Sequence, residues 1–165
     1  MQVVPKSDVA GLFDRLVLTE LPGRRGLGAW QALLRAHATL IRQLDQQLQK
    51  ETGLALADFD VLAQLAVGEL RMTELADRAL ISRSGMTRRV ARLAEEGLVL
   101  RANIAADARG VVVALTDAGV ARLTETAPVH ARGVFDLFVS RLGDQELAVL
   151  ESALAKVTTL DCTFG

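Results

Sequence analysis

The stretch SRSGMTRRVARLAEEGLVLRANIAADARGVVVALTD, residues 82–117, decides the fold. Ser82 is a typical N-cap residue and Gly97 a typical C-terminal glycine, so the residues between them predict a helix. The Val- and Leu-rich runs at 98–101 and 111–115 predict two strands joined by a polar loop, which is the pattern of a β-hairpin. A helix followed at once by a β-hairpin indicates the last helix and the wing of a winged helix-turn-helix.

Apolar residues at helical spacing extend this unit in both directions. The residues from Trp30 to Leu48 carry one apolar stripe, and Thr73 is suited to N-cap a further helix. Pro128 is expected to kink or divide the helix that follows Thr116. The predicted helices are 29–50, one from Ala57 or Asp58 to Gly68, 74–79, 83–96, one from 117 onward and one from 144 to 160. The predicted fold class is therefore mainly α with a small β-hairpin wing, a winged helix-turn-helix flanked by long N- and C-terminal helices.

The chain is expected to consist of an N-terminal extension and one main domain. Residues 1–28 form the extension, with a short amphipathic helix whose apolar residues are Val9, Leu12, Phe13, Leu16 and Val17. Pro22 and the three glycines that follow it are expected to interrupt helical structure. The main domain is residues 29–165.

The composition excludes several classes of protein. The chain has 165 residues, of which 50% are hydrophobic and 24% charged, so we expect an ordered chain long enough to bury a core. Its single cysteine, Cys162, excludes an internal disulfide, and only two histidines accompany it, which excludes a zinc module. The sequence shows no secretory signal, membrane span, phosphate-binding loop, nucleophile motif or metal cluster. We therefore expect a cytoplasmic protein that is not an enzyme, needs no cofactor or metal and has no membrane partner.

The formal net charge of −1 conceals a local asymmetry. Between Arg71 and Arg109 there are eight arginines and five acidic residues, so this segment has a charge of +3 and the remainder −4. From Arg83 to Arg92 there are four arginines and no acidic residue. A basic segment of this kind is typical of the part of a protein that faces DNA.

The helix predicted at 83–96 has two different faces. Met86, Val90 and Leu93 share an apolar face, which is expected to pack into the core. Arginine makes bidentate hydrogen bonds to guanine, and serine or threonine reaches bases or phosphates, so the opposite face suits the major groove. A solvated basic face without a ligand is the alternative. The candidate DNA-binding residues of this helix are Arg83, Ser84, Thr87, Arg88 and Arg92, with the small Ala91 between them.

The polar loop 103–110 ends in Asp107-Ala108-Arg109-Gly110, at the tip of the predicted hairpin. An arginine at this tip can enter the narrow minor groove, where the negative potential is enhanced. Asp107 can hold the loop in shape or orient an arginine, and Gly110 permits a tight return. Asp107, Arg109 and Gly110 are therefore the candidate DNA-binding residues of the wing.

These motifs resemble those of the multiple-antibiotic-resistance regulators, the MarR family of transcriptional regulators. The resemblance extends over about residues 29–162 and is most specific over 70–119. The segments that carry it are Met72-Thr73-Glu74-Leu75-Ala76, Ser84 through Gly97-Leu98-Val99, Asp107-Ala108-Arg109-Gly110 and Leu115-Thr116-Asp117-Ala118-Gly119.

The resemblance implies a homodimer that binds a pseudo-palindromic double-stranded DNA operator, more often as a repressor. It implies that helices at about 29–50 and 117–162 form the dimer, while a lobe at about 55–116 binds DNA. Independently of the resemblance, the leucine-rich stripes at 30–48 and 144–160 require a partner surface.

The resemblance also implies release from DNA by a small aromatic or phenolic ligand, bound between the dimerisation helices and the DNA-binding lobe. Trp30 and His37 lie on the first stripe and are candidates for that cleft, with ordinary core or interface packing as the other explanation. Thr73, at the start of its helix, is a candidate contact to a DNA phosphate. Cys162 is expected to be inert, and His130 is expected at the surface.

A winged-helix module that binds another protein is the alternative to a DNA-binding regulator, because a fold does not define a function. Such a module has no need of an acid-free arginine face beside an arginine-tipped hairpin. Arg88, Arg92 and Arg109 are therefore the residues that separate the two hypotheses.

Overall fold

The computed structural model describes residues 11, 15, 24–79, 81–103 and 110–158, and the chain divides into two units, Met1–Ile41 and Arg42–Gly165. The described helices are α1 (Arg24–Thr52), α2 (Leu56–Leu65), α3 (Met72–Arg78), α4 (Arg83–Glu95), α5 (Asp117–Leu137) and α6 (Asp144–Thr158), with a 3₁₀ turn at Val139–Arg141. The strands are β1 (Leu70–Arg71), β2 (Val99–Asn103) and β3 (Val111–Leu115). This order of elements confirms the predicted mainly helical fold with a small β-hairpin wing.

The three strands form one antiparallel sheet in the order β1-β3-β2. The hairpin register pairs Val99 with Leu115 and Asn103 with Val111, while the two-residue β1 pairs Leu70 with Val113. The strand predicted at 98–101 therefore extends to Asn103. The hairpin tip lies outside the described residues.

The hydrophobic core lies among the end of α1, the helices α2, α3 and α4, and the sheet. Met86, Val90 and Leu93 are fully buried, which confirms the predicted inward face of α4. Each fully buried apolar side chain of this size contributes about 1.5–3 kcal/mol. The other buried hydrophobic residues are Leu48, Leu54, Leu56, Phe59, Val61, Leu62, Leu65, Leu70, Leu75, Ala76, Val99 and Val113.

Both ends of α4 are fixed by the residues that the sequence pointed to. The Ser82 hydroxyl accepts a hydrogen bond from the Gly85 backbone N–H at 3.2 Å. Gly97 has a φ of +73°, a left-handed conformation that glycine adopts without steric cost. The orientation of α4 is therefore set at its first turn and at its end.

The start of α5 is bound to the turn that ends α4. The Thr116 hydroxyl accepts from the Gly119 N–H at 2.9 Å and donates to the Gly97 carbonyl at 2.7 Å. A Cβ at Gly119 would lie 2.0 Å from the Leu98 carbonyl oxygen, so only glycine fits there. The predicted cap at Thr116 is confirmed, and it also couples the start of α5 to the turn that ends α4.

α1 begins earlier than the sequence suggested. The prediction that glycines interrupt helical structure up to residue 28 is wrong, because the helix starts at Arg24 and includes Gly26 and Gly28. A glycine costs a helix about 1 kcal/mol, which a 29-residue helix tolerates. Of the predicted N-terminal helix, Gly11 and Arg15 are helical, and its apolar residues lie outside the described part.

Two other helix starts also differ from prediction. α2 begins at Leu56 rather than at Ala57 or Asp58, because the Asp45 carboxylate of α1 accepts the Leu56 N–H at 2.8 Å. The N-cap of α3 is Arg71, so Thr73 lies inside the first turn and is not the cap.

α5 runs through Pro128 without being divided. Proline removes one backbone hydrogen-bond donor from the helix. Its two neighbours in the chain, Ala127 and Val129, pack against the core. Near its C-terminal end the helix approaches the end of α1 closely. A Cβ at Gly133 would lie 2.8 Å from atoms of both Leu44 and Gln47.

None of the helices within the described residues combines the length and the apolar character that crossing a bilayer requires.

Candidate nucleic-acid interface

The outward face of α4 is the first candidate surface. Arg88 and Val90 are two residues apart, which is about 200° around a helix, so Arg88 points away from the core that Val90 enters. Arg83, Ser84 and Thr87 are exposed as well. The structure therefore presents the predicted residues on a face that another molecule can reach.

Arg83 and Arg88 make no side-chain hydrogen bond or ion pair to any residue in the described part of the chain. The Thr87 hydroxyl donates to the Arg83 carbonyl at 2.9 Å, which leaves its oxygen lone pairs for a donor from outside. The Ser84 hydroxyl oxygen lies 3.4 Å from that of Ser82. The face thus offers two uncommitted guanidinium groups and two hydroxyl groups.

Arg92 has a different environment, which the sequence did not indicate. Its Nη2 contacts both carboxylate oxygens of Asp58, on α2, and its Nε lies 3.9 Å from a Glu96 oxygen. Arg89 donates from Nη1 to the same Asp58 carboxylate at 2.7 Å. Asp58 is only 5% exposed, so a buried carboxylate joins α2 to α4.

No acidic residue lies between Arg83 and Arg92 in the sequence, but the fold brings an acidic side chain from another helix beside these arginines. Asp58 neutralises part of the charge of Arg89 and Arg92, and Glu74 pairs with Arg78 at 2.6 Å. The signal that could have identified Asp58 is an acidic residue between the apolar Leu56 and Phe59 of α2. Its partners, however, lie 31 and 34 residues downstream.

A shallow depression of about 260 Å³ lies beside this face. It is lined by Ile81, Gly85, Arg88, Arg89 and Arg92. The Nε of Arg89 is buried and has no hydrogen-bond partner among the described residues. The electrostatic character of the depression is therefore positive, with one unsatisfied donor beside it.

The wing and α3 provide the remaining candidates. Gly110 is half-buried at the start of β3, while Asp107 and Arg109 lie outside the described residues. Thr73 is exposed in the first turn of α3, and the charge of the neighbouring Glu74 is offset by Arg78. The structure thus brings Arg83, Ser84, Thr87 and Arg88 onto one face and leaves the wing tip undescribed.

The candidate ligand-binding residues lie on the first part of α1, where apolar side chains are exposed. Trp30 is 55% exposed, His37 is exposed, and Leu34 and Ile41 of the same stripe are exposed too. Neither Trp30 nor His37 occupies a packed position in the described chain.

The last helix also exposes apolar side chains. α6 has no buried residue, and Val149 and Val157 are 69% and 60% exposed. An apolar depression of about 520 Å³ runs along it, lined by Leu142, Gln145, Glu146, Val149, Leu150 and Ala153.

His130 is not a surface residue, contrary to expectation. It is half-buried on α5, and its ring stacks on Phe59 of α2 with a centroid distance of 4.5 Å. Asp60, next to Phe59, is exposed as a residue, but loss of water around its carboxyl raises its pKa above the ordinary value of 3.8. The charges of His130 and Arg89 lower this pKa in part.

No three His, Cys, Asp or Glu side chains of the described residues come together as a metal site would require. Cys162 lies outside the described part. The helix pair α3–α4, the sheet and the exposed basic face together define a winged helix-turn-helix protein.

Known proteins resemble this chain in sequence and in structure. A sequence model of the MarR family matches residues 52–110. Sco3205 of Streptomyces coelicolor, a MarR family transcriptional regulator crystallised in complex with DNA, is 33% identical with a TM-score of 0.77, covering 84% of this chain and 92% of that protein. A MarR variant from E. coli, crystallised with operator DNA, is 25% identical with a TM-score of 0.72, covering 81% and 95%. An HTH-type transcriptional regulator of Bacillus cereus is 29% identical over 129 residues, 78% of this chain and 85% of the relative.

The chain belongs to the MarR family of transcriptional regulators. Because the family and these relatives are regulators of transcription, the expectation of a protein that is not an enzyme is confirmed.

Proposed function

We propose that this protein is a repressor that binds a pseudo-palindromic DNA operator as a homodimer and is released by a small ligand. The observation that carries the DNA-binding part is the exposed face of α4, where Arg88 has no partner among the described residues. Two relatives of the same fold were crystallised with DNA, which supports the same assignment.

In this proposal α4 lies in the major groove. Arg88 donates to a base edge, Ser84 and Thr87 reach bases or phosphates, and Arg83 contacts the backbone near the start of the helix. Arg92 lies at the edge of the same surface. Thr73 contacts a phosphate from α3. The wing residues Asp107, Arg109 and Gly110 place an arginine in the adjacent minor groove.

The dimer is supported by large apolar side chains that stay about half or more exposed within the described chain. The exposed Trp30 and Leu34 on α1, and Val149 on α6, would cost free energy in water unless a second surface removed them from it. We propose that helices at about 29–50 and 117–162 form this interface, with the lobe at about 55–116 on DNA. Residues 1–28 are then an extension to the domain at 29–165. A two-fold dimer reads half-sites about 10 base pairs apart.

A small aromatic or phenolic effector that contacts Trp30 and His37 completes the proposal. Trp30 is the only tryptophan of the chain, so its fluorescence reports on binding nearby without labelling. Salicylate serves as a phenolic probe. The expected result is saturable quenching that His37→Ala weakens, together with release of bound DNA. Fluorescence and DNA binding that are both unchanged at millimolar salicylate contradict a phenolic effector of this kind.

The test of DNA binding uses fluorescence anisotropy with a duplex from the protein's own upstream region. Binding at nanomolar concentration in low salt is expected, with affinity that falls steeply as salt rises. Arg88→Ala and Arg109→Ala should each weaken binding, whereas Arg25→Ala, which removes an exposed arginine near the start of α1, should not. Full retention of affinity in the Arg88→Ala/Arg109→Ala double variant would exclude these residues as DNA contacts.

The alternative, a winged-helix module for another protein, predicts a different result. A folded dimer that binds no duplex even at low salt would favour it. Static light scattering at micromolar concentration tests the dimer separately, and a monomer there would contradict the homodimer. Action in the cytoplasm is part of the same proposal.

A further inference from the structure

Two neighbouring arginines on α4 differ in how their hydrogen-bond donors are used. Arg88 is exposed and makes no hydrogen bond or ion pair to any described residue. Arg92, one turn further along the helix, has its Nη2 on both oxygens of Asp58. Although Arg92 is 53% exposed, its end group is therefore already engaged.

The engaged atom decides what Arg92 can recognise. A guanidinium group has two bidentate edges, one formed by both terminal nitrogens and one formed by Nε and Nη2. Each edge uses one of the two N–H groups of Nη2, and in Arg92 this atom lies against both oxygens of Asp58, so a base acceptor approaching either edge would meet that carboxylate. Arg92 can still make a single hydrogen bond through Nη1, as a phosphate contact requires, but not the bidentate contact that identifies guanine.

The burial of Asp58 favours keeping its contact with Arg92. A carboxylate that is only 5% exposed must stay paired, because an isolated buried charge is costly. Arg89 supplies a second partner through Nη1 at 2.7 Å, so Asp58 is held from two successive turns of α4. If DNA drew Arg92 away from Asp58, the buried carboxylate would keep only Arg89 of these two partners.

We propose that Asp58 is a specificity-determining residue: it withholds Arg92 from bidentate base recognition and leaves Arg88 as the arginine of α4 that reads a base edge. This inference rests on the proposed DNA-binding function and narrows it. Asp58 acts through Arg92 and does not itself touch DNA, so it is a positioning residue. An accessible arginine at each of the two positions would instead select bases at two places in each half-site.

The test compares the sequences that four variants and the unaltered protein select from a random duplex library. The variants are Asp58→Asn, Arg92→Ala, Arg88→Ala and the double variant Asp58→Asn/Arg92→Ala. Asparagine keeps the size of the aspartate and removes its charge, so it frees Arg92 with little change in packing. Circular dichroism melts verify that each variant is folded before its selection is compared.

The expected pattern has three parts. Arg88→Ala loses a base preference in each half-site, while Arg92→Ala keeps the preferred sequence of the unaltered protein. Asp58→Asn gains a preference of about fivefold or more at one further position, the discrimination that a bidentate contact gives. The double variant loses this gained preference again, which a purely structural effect of Asp58→Asn would not produce.

Two outcomes overturn the inference. In the first, Arg92→Ala changes the preferred sequence as Arg88→Ala does, which makes Arg92 a base-reading residue. In the second, a folded Asp58→Asn variant selects the original sequence with the original discrimination. If Asp58→Asn does not fold, the comparison of Arg92→Ala with Arg88→Ala still tests whether Arg92 reads a base, and a change of preferred sequence in Arg92→Ala overturns the inference. Failure of the proposed function is recognised differently, because the unaltered protein would then select no sequence at all.

Discussion

The winged-helix lobe and the last helix of this protein differ in how they bury apolar side chains. The hydrophobic core extends from Leu48, near the end of α1, through this lobe to Val113, with several side chains completely removed from solvent. α6 is comparably regular in its apolar spacing but has no buried residue. The same type of sequence pattern therefore has two different outcomes in one chain.

This difference shows which parts of the fold a single chain can stabilise without a second copy. In the lobe, three short helices and the sheet surround one volume, so leucines from different elements cover one another. In α6 the apolar face has no such cover among the described residues, and Val149 is 69% exposed. We therefore expect disruptive substitutions in the lobe to unfold the chain, and substitutions on the apolar face of α6 to weaken its self-association.

The largest effect is expected from a cavity in the lobe. Leu93 is completely buried, so Leu93→Ala should lower the free energy of unfolding by about 2–5 kcal/mol, as measured by urea denaturation. Leu100→Ala deletes the same atoms from a side chain that is 63% exposed and should cost less than about 1 kcal/mol. Equal losses for the two variants would contradict a core confined to the buried side.

A charge on α6 should separate assembly from folding. Val149→Asp places a carboxylate on the apolar face of α6, and a desolvated, unpaired charge opposes association. We expect the self-association constant to weaken by at least about tenfold, a cost of about 1.4 kcal/mol or more. Light scattering measures it, while circular dichroism should show the lobe still folded.

The matched control is Val67→Asp, in a residue that is 77% exposed just after α2. It introduces the same charge on the surface of the lobe and should leave the dimer unchanged. A dimer that is equally stable in both variants would remove α6 from the proposed interface.

The next effect tests a single hydrogen bond within the lobe. Ser82→Ala removes the acceptor of the Gly85 N–H and should destabilise the chain by about 1 kcal/mol. Ser84→Ala is the same chemical change two residues later, on the outward face, and should stay within about 0.5 kcal/mol. Thermal melts of both variants measure the difference. A reversed order would mean that the helix start depends on Ser84.

The features that the sequence predicted correctly depend on short distances along the chain. Ser82 reaches Gly85 and Thr116 reaches Gly119, each three residues away, so the residue types alone indicate the interaction. The inward face of α4 followed from the helical spacing of Met86, Val90 and Leu93. Local geometry determines these features, and a single sequence contains it.

The features that were missed depend on residues far apart in the chain. Asp45 caps Leu56 from a different helix, which moves the start of α2. Asp58 reaches Arg92 across 34 residues, and no periodicity or spacing indicates that contact. The stacking of His130 on Phe59 joins residues still further apart in the sequence, so the partial burial of His130 was missed. Tertiary contacts, rather than local propensity, decide these positions.

The smallest effect concerns Asp60, where α2 faces α5 at the edge of the lobe. Its pKa is raised in the folded chain mainly by loss of water, so the folded state favours the protonated carboxyl and is penalised as the pH rises above 3.8. Asp60→Asn removes this penalty and should raise Tm at pH 7. The gain should vanish below pH 3.8, where the carboxyl is protonated in both states. A change of 1 kcal/mol shifts Tm by about 2–4 °C in a chain of this size, and because Asp60 is exposed we expect a smaller gain than that.

The control is Asp77→Asn, which removes the charge of an exposed carboxylate on α3. A lower Tm for Asp60→Asn at pH 7 would mean that the attraction of the Asp60 carboxylate to His130 and Arg89 outweighs its loss of water.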